Sequence, residues 1–230
     1  PFPWISFYYK PMHLLGGDFF DFFVFPSGKL GIFLSDVSGH GVPAALVTSI
    51  IKSYSLQHAL TQESPAAFLA GLNTFLQNRT GDNFVTAFYG ILDREEASLV
   101  FSNAGHNPPY LLAGDAIRRL TAIRRSPPLN VLANPELEQI GKQYCDETVR
   151  LAKDSRILLY TDGLTEAVPM AGSSKTAHIP DFESERLDAV LKSCCTDCPA
   201  ALIDSLVSSL ISWRGEDHFE DDVCLICIGV

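Results

Sequence analysis

Short runs of apolar, aromatic and β-branched residues, each ended by glycine or another turn residue, constrain the fold of this chain most. Six such runs are typical of β-strands: residues 31–35, 84–92, 99–102, 110–112, 157–161 and 223–228. Their connections are short, which favours antiparallel hairpins over crossovers. Because strands occur in runs separated by consecutive helices instead of alternating strictly with them, the pattern predicts the α+β class.

Three segments have helical patterns. In the clearest, Ser64 is placed to cap the helix, Pro65 fits its first turn, and the apolar residues of 68–76 follow the spacing of one buried stripe. An earlier helix begins at Val42 and ends near Leu60. Residues 183–213 are predicted to form two helices, broken near residues 195–199.

Composition limits the function classes. With 230 residues, 47% of them apolar and 19% charged, the chain can bury a sizeable core, and we expect one domain over residues 1–230. A formal net charge of −10 argues against nucleic-acid binding. No apolar run approaches the roughly 18 to 20 residues of a membrane span, so this domain is not expected to insert into a membrane.

The setting of the domain is also an expectation. The chain starts at Pro1 and its first element begins at once, so we expect the C-terminal output domain of a longer signalling protein with an upstream sensor. A cytoplasmic location is predicted, and a membrane tether elsewhere in the full-length protein stays open.

Cysteines give a weak metal signal. Four of the six form two pairs with a zinc-like two-residue gap, Cys195 with Cys198 and Cys224 with Cys227. The second pair lies in a strand-like run, where positions three apart face opposite ways. Reduced thiols in a cytoplasmic protein are therefore favoured over a zinc site.

Four acidic sites each lie at the end of an apolar run, beside glycine or another turn residue. They contain Asp18, Asp36, Asp162 and the pair Asp221 and Asp222. Carboxylates that converge repel one another unless cations lie between them, and ligand sets made of oxygen alone favour Mg²⁺ or Mn²⁺ over zinc. Asp beside Gly also forms ordinary turns, and spacing alone leaves open whether the four sites meet.

Six longer motifs occur in order along the chain. They are GGDFFDFF (16–23), LSDVSGHGVPAA (34–45), FVTAFYGILD (84–93), FSNAGHNPPY (101–110), ILLYTDGLTEA (157–167) and DDVCLI (221–226). Together they resemble the SpoIIE/RsbU branch of the metal-dependent protein phosphatases of the 2C type, the PPM family. The resemblance covers essentially the whole chain, and six ordered motifs are far more specific than a single pattern.

The resemblance implies a fold and a ligand set. The fold is a central sandwich of two antiparallel sheets flanked by helices on both sides, with two Mn²⁺ or Mg²⁺ ions at one edge. Asp36 would bridge both ions, and Asp18 would bind one of them together with the main-chain carbonyl of Val37. Asp162 and Asp221 would hold the other ion, with Asp222 as the competitor of Asp221.

The resemblance also implies the chemistry. A water that bridges the two ions would attack the phosphorus of phosphoserine or phosphothreonine, with no phospho-enzyme. The substrate would be a phosphorylated STAS-domain anti-anti-sigma factor in a bacterial partner-switching pathway. Activity in such proteins is regulated, and the helix from Val42 to Leu60 is the candidate switch and homodimer contact.

Some positions depart from the family pattern or stay open. The arginine that eukaryotic members carry before the first acidic ligand is missing, which fits the bacterial branch, and Asn130 replaces a glycine but tolerates positive φ. His40 is a candidate general acid, whereas His106 is expected to fix a turn. Residues 170–181 have the composition of a flap that would complete a third metal site or play no part.

Two rival functions are compatible with parts of the sequence. The GGDFF sequence also invites comparison with diguanylate cyclases, but the second acidic residue of their signature is missing and too few residues precede Asp18. The other rival is a catalytically silent, phosphatase-like scaffold or signal-gated binding module. Such a module would have lost metal ligands, whereas all four candidate Asp positions are filled here.

Overall fold

A computed structural model describes residues 2–169, 181–194, 196 and 198–230. The strands within these residues are β1 (Ile5–Lys10), β2 (Phe19–Val24), β3 (Leu30–Val37), β4 (Val85–Asp93), β5 (Ser98–Ala104), β6 (Tyr110–Ala113), β7 (Ala116–Arg119), β8 (Glu147–Arg150), β9 (Arg156–Tyr160) and β10 (Val223–Gly229). The helices are α1 (Val42–His58), α2 (Pro65–Leu76), α3 (Asn134–Gln139), α4 (Asp162–Thr165), α5 (Asp188–Ser193) and α6 (Pro199–Arg214). A 3₁₀ turn at Ala59–Thr61 extends α1, and a π-helical turn at Glu183–Leu187 precedes α5.

The chain divides into two compact units, each with its own sheet. One unit comprises Pro1–Met12, Pro109–Leu120 and Ala152–Val230, and the other comprises His13–Pro108 and Thr121–Leu151. Within the described residues each sheet has five strands, and every pairing between strands is antiparallel. Two antiparallel sheets with flanking helices confirm the predicted α+β class. The single-domain organisation stays a prediction.

The unit that contains both termini has the strand order β1-β10-β9-β6-β7. Alternate residues of β9 and β10 point to one face, where Tyr160 and Leu225 are buried with Leu206 of α6 in one apolar cluster. Cys224 and Cys227 lie in β10 and are both buried, which confirms the strand predicted for this pair. Cys195, of the other pair, lies outside the described residues.

The other unit has the strand order β2-β3-β4-β5-β8. On one face of this sheet Phe33 and Tyr89 pack against Phe68 and Leu72 of α2, and the rings of Phe68 and Tyr89 lie 4.4 Å apart. The helices α1 and α2 thus cover that face, and the side chains of β3 that point the other way include Asp36.

Local sequence explains where the helices begin. The Ser64 hydroxyl accepts a hydrogen bond from the Ala67 N–H (3.0 Å), and Pro65 occupies the first turn of α2, as predicted. The helix α1 begins at Val42, directly after Gly41 with φ of +74°, and α6 ends at the left-handed Gly215.

The six predicted strands and the three helical regions are confirmed, with bounds that differ by a few residues at most. The strands β1, β2, β7 and β8 and the short helices α3 and α4 were not predicted. Of the predicted flap, residues 170–180 lie outside the described residues. In the part of the chain that the structure describes, no helix is both long enough and apolar enough to cross a membrane.

Candidate metal centre

The first pair of acidic residues is brought together by strand register. Phe19 of β2 is the antiparallel partner of Ser35 in β3. Continued by one residue, this register places Asp18, which precedes Phe19, opposite Asp36, which follows Ser35. Directly opposite residues of an antiparallel pair share a face, with Cβ atoms about 4.5–5.5 Å apart, and like charges there are destabilising. Asp18 is only 6% exposed, which increases the cost of two adjacent negative charges. A cation between the two carboxylates would remove that cost.

A backbone carbonyl lies beside this pair. A Cβ on Gly17 would lie 2.8 Å from the Val37 carbonyl oxygen and 3.5 Å from that of Gly39. Glycine is therefore required at position 17, because any side chain would displace the segment that follows Asp36. The Val37 carbonyl oxygen, the predicted metal ligand, thus lies where the backbone just before Asp18 approaches the backbone just after Asp36.

The loop after Asp36 is fixed to the start of β4. The Ser38 N–H donates to the Phe84 carbonyl (2.9 Å), the Phe84 N–H donates to the Ser38 hydroxyl (3.0 Å), and the Asn83 amide donates to the Ser38 carbonyl. His40 follows on this loop and is exposed, with its ring 5.8 Å from that of His13 in an edge-on contact. His40 therefore lies on the loop that follows Asp36, and its role as a general acid stays a prediction.

In the unit that contains both termini, Asp162 is the first residue of α4, directly after β9. Burial raises its pKa to about 6, with further contributions from the neighbouring carboxylates of Asp221 and Glu166, while backbone N–H groups lower it in part. A carboxylate whose charge is opposed by burial and by two other carboxylates is suited to a cation partner.

The closing acidic pair divides into one exposed and one buried residue. Asp221 is exposed, whereas Asp222 is 6% exposed and accepts a hydrogen bond from the Met12 N–H (2.7 Å). The Asp222 N–H in turn donates to the Asp221 carboxylate (2.8 Å), and a Cβ on Gly163 would collide with the Asp222 carbonyl. Asp222 is thus tied into the backbone, while Asp221 is the residue that acts electrostatically on Asp162.

Each unit therefore carries part of the predicted ligand set. Asp18, Asp36 and the Val37 carbonyl belong to one unit, and Asp162, Asp221 and Asp222 belong to the other. Among the described residues, no group of three or more His, Cys, Asp or Glu side chains is arranged so that it could hold a metal ion. All the candidate donors are oxygen atoms, which fits Mg²⁺ or Mn²⁺ and not a thiolate zinc site.

Two residues beside these sets were missed by the sequence analysis. Glu166 lies four positions after Asp162, a spacing that brings two side chains together on a helix and could have revealed it. Thr86 is the β4 partner of Asp36. No local signal distinguishes it, because its place beside Asp36 comes from the pairing of distant strands.

Comparison with known proteins now decides the family. The model of the family described as "Stage II sporulation protein E (SpoIIE)" matches residues 26–230 of the chain. The chain belongs to the SpoIIE family. The predicted resemblance to the SpoIIE/RsbU branch is thereby confirmed.

Two curated relatives of this SpoIIE-family chain come from Bacillus subtilis (strain 168). "Phosphoserine phosphatase RsbP" is 27% identical over 232 residues, which cover 98% of this chain and 52% of the relative. "Phosphoserine phosphatase RsbU" is 27% identical over 157 residues, which cover 68% of this chain and 44% of the relative. The chain thus spans about half the length of these relatives.

Solved structures show the same fold. The SiaA-PP2C domain of Pseudomonas aeruginosa superposes with a TM-score of 0.81 at 22% identity, covering 98% of this chain and 85% of that one. The RsbU and RsbW domains of Rv1364c from Mycobacterium tuberculosis superpose with a TM-score of 0.76 at 26% identity, covering 98% of this chain and 59% of that one. RsbX in complex with magnesium superposes with a TM-score of 0.67 at 15% identity, covering 98% of this chain and 94% of that one. The SpoIIE-family chain therefore has the PP2C-type fold.

Proposed function

We propose that this SpoIIE-family domain hydrolyses phosphoserine or phosphothreonine on a partner protein, with two divalent cations, Mn²⁺ or Mg²⁺, as cofactors. The observation that carries the proposal is the register of β2 and β3, which, continued by one residue beyond the pair of Phe19 and Ser35, sets Asp18 opposite Asp36. Like charges in directly opposite positions are destabilising, and a bound cation would remove that repulsion. The names of RsbP and RsbU and the magnesium complex of RsbX support the same chemistry.

The proposed ligands follow the family pattern. Asp36 would hold both ions, Asp18 and the Val37 carbonyl would help to hold one of them, and Asp162 and Asp221 would help to hold the other. The raised pKa of Asp162 supports a cation partner there. Asp222 is proposed to be structural, because the Met12 N–H already bonds its carboxylate.

When bound, a pair of divalent ions lowers the pKa of a water molecule between them and neutralises the phosphoryl oxygens in the transition state. The protein itself supplies fixed carboxylates, held at strand ends and by a loop that is bonded to β4. Neither cysteine of β10 is suited to act as a nucleophile, since burial raises the pKa of Cys227 to about 12 and Cys224 is also buried.

The proposed substrate is a phosphorylated STAS-domain protein in a partner-switching pathway. Support comes from the RsbP and RsbU relatives and from Rv1364c, a chain that carries RsbU and RsbW domains together. A cytoplasmic location, an upstream sensor and a place at the C-terminal end of the full-length protein are parts of this proposal. The free cysteines among the described residues support a reducing compartment.

Self-association through α1 completes the proposal. Val42, Leu46, Leu56 and Leu60 are large apolar residues that stay exposed, and their positions differ by multiples of three to four residues. Such spacing places them along one side of a helix. A second copy of this chain, which presents the same stripe, is the proposed occupant.

The test is hydrolysis of a phosphoserine peptide and of the phosphorylated STAS protein, with and without Mn²⁺. Asp36→Asn should abolish Mn²⁺-dependent turnover, whereas Asp115→Asn, a matched change in the exposed turn between β6 and β7, should leave it unchanged. Turnover that needs no Mn²⁺, or that survives Asp36→Asn, would contradict the proposal. Absence of turnover together with absence of Mn²⁺ binding would favour the scaffold alternative.

A further inference from the structure

His106 is a buried histidine whose position is fixed from three sides. It follows β5 and is 6% exposed. Its N–H donates to the Asn103 side-chain oxygen (2.8 Å), and the Asn103 amide donates back to the His106 carbonyl (3.0 Å). The preceding Gly105 has φ of +69°, and a Cβ there would lie 2.7 Å from Pro128. The backbone of His106 is therefore held tightly, and its ring has little freedom to turn.

The ring of His106 reaches a residue that neighbours the proposed bridging ligand. Its Nδ1 atom lies 2.8 Å from the hydroxyl oxygen of Thr86. Thr86 is the strand partner of Asp36 across β3 and β4, so both side chains are on one face of the sheet. Asp36 and Thr86 thus lie side by side on β3 and β4, with Asp18 directly before β2 and His106 two residues after the end of β5 in the same sheet.

We propose that His106 is a positioning residue that orients the Asp36 carboxylate through Thr86. The His106 Nδ1–H donates to the Thr86 hydroxyl oxygen, which leaves the Thr86 hydroxyl hydrogen to donate to Asp36. The inference rests on the proposed function, because it assigns a role to the support of a metal ligand.

The chemistry of the three groups sets the direction of this hydrogen-bond chain. An ionised carboxylate only accepts hydrogen bonds, while a hydroxyl both donates and accepts. A hydroxyl hydrogen bond to a carboxylate is about twice as strong as one between neutral groups, so the Thr86 hydrogen is best used on Asp36. In the hydrogen bond between His106 and Thr86 the imidazole then has to be the donor, so the ring hydrogen lies on Nδ1.

The first experiment uses the metal-free protein. The ¹⁵N chemical shifts of the His106 imidazole distinguish a protonated Nδ1 from a bare one, independently of metal and activity. A hydrogen on Nδ1 is the expected result. A bare Nδ1 would overturn the proposal, because Thr86 would then donate to His106 and would have no hydrogen left for Asp36.

The second experiment measures the Mn²⁺ dissociation constant by calorimetry. Thr86→Val and His106→Phe should each weaken binding by about 10- to 100-fold, the usual effect of removing a hydrogen-bond partner of a metal ligand. Thr86→Ser keeps the hydroxyl, and His106→Asn keeps a donor near the position of Nδ1, so both should retain most of the affinity. The double variant Thr86→Val with His106→Phe should be no weaker than the worse single variant, since both break one chain.

Thr148→Val is the matched control, because Thr148 is exposed on the edge strand β8 of the same sheet. Circular dichroism checks that each variant is folded. If the wild type binds Mn²⁺ and Thr86→Val binds it equally well, the inference fails while the proposed function stands. If the wild type binds no Mn²⁺, the proposed function fails and the inference fails with it.

Discussion

Gly17 provides a way to test the role of the Val37 carbonyl, which side-chain mutagenesis cannot remove directly. In Gly17→Ala the new Cβ would lie 2.8 Å from the Val37 carbonyl oxygen, a separation that real Cβ atoms do not show. The contact is with backbone, so either the segment of residue 17 or the strand end after Asp36 has to shift. Metal-ligand distances tolerate only about ±0.2 Å.

The expected magnitudes follow from that displacement. Overpacking costs about 1–3 kcal/mol, whereas Gly→Ala gains about 0.4–1 kcal/mol from the unfolded chain, so the free energy of unfolding should fall by about 1–2 kcal/mol. The affinity for Mn²⁺ should fall by at least about 10-fold, since one oxygen ligand is displaced from its proper distance.

Denaturant unfolding and Mn²⁺ calorimetry measure the two effects, and Gly229→Ala is the control. A Cβ on Gly229 would lie 3.5 Å from Pro199, an ordinary contact, so that variant should keep wild-type Mn²⁺ affinity and lose no stability. If Gly17→Ala behaves like Gly229→Ala in both measurements, the close approach of residues 17 and 37 is not part of the metal centre.

Three further changes test other parts of the account. The raised pKa of Asp162, about 6, means that the folded metal-free chain binds more protons than the unfolded chain between pH 3.8 and that value. The free energy of unfolding of the metal-free chain should therefore fall by about 1–2 kcal/mol as pH rises through this range, after allowance for the partial exposure of Asp162. Urea unfolding of Asp162→Asn should not show this fall. Asn130→Gly keeps the positive φ of 66° but loses the side-chain hydrogen bonds to Thr80 (2.7 Å) and Asn83 (2.9 Å), so we expect a loss of about 1–2 kcal/mol in chemical denaturation. Leu46→Asp should weaken self-association in sedimentation experiments without lowering the Tm, because Leu46 is exposed; an unchanged dimer fraction would argue against α1 as the contact.

The sequence predicts those elements whose signals are local. The cap at Ser64, the proline after it and the apolar stripe define α2 without help from the rest of the chain. The six predicted strands are apolar runs of three to nine residues with turn residues beside them. The strand β2, by contrast, reads FFDFFV, with no alternation of apolar and polar residues to mark it.

Short elements are harder to predict because their stability comes from their neighbours. The strands β7 and β8 have four residues each, and β8 is held by its pairing with β5. The helix α3 begins after Ala133, whose side chain cannot cap it, and only the Glu136 carboxylate bonds back to the Ala133 N–H (2.7 Å). A cap without a Ser, Thr, Asp or Asn gives little sequence signal.

The candidate ligands could be named from the motifs, but their arrangement could not. That Asp18 lies opposite Asp36 depends on the register of β2 and β3, and that Thr86 joins them depends on β4, about 50 residues further along the chain. The preference for Asp221 over Asp222 also gains its physical reason only from the structure, where the Met12 N–H bonds to Asp222.

The most direct test of the central claim is the number of Mn²⁺ ions bound per chain, measured by equilibrium dialysis of the purified domain. The wild type is expected to bind two ions and Asp36→Asn to lose tight binding, because Asp36 is proposed to contact both. Binding that is absent from the wild type, or undiminished in Asp36→Asn, would contradict the two-metal centre and with it the proposed phosphatase chemistry.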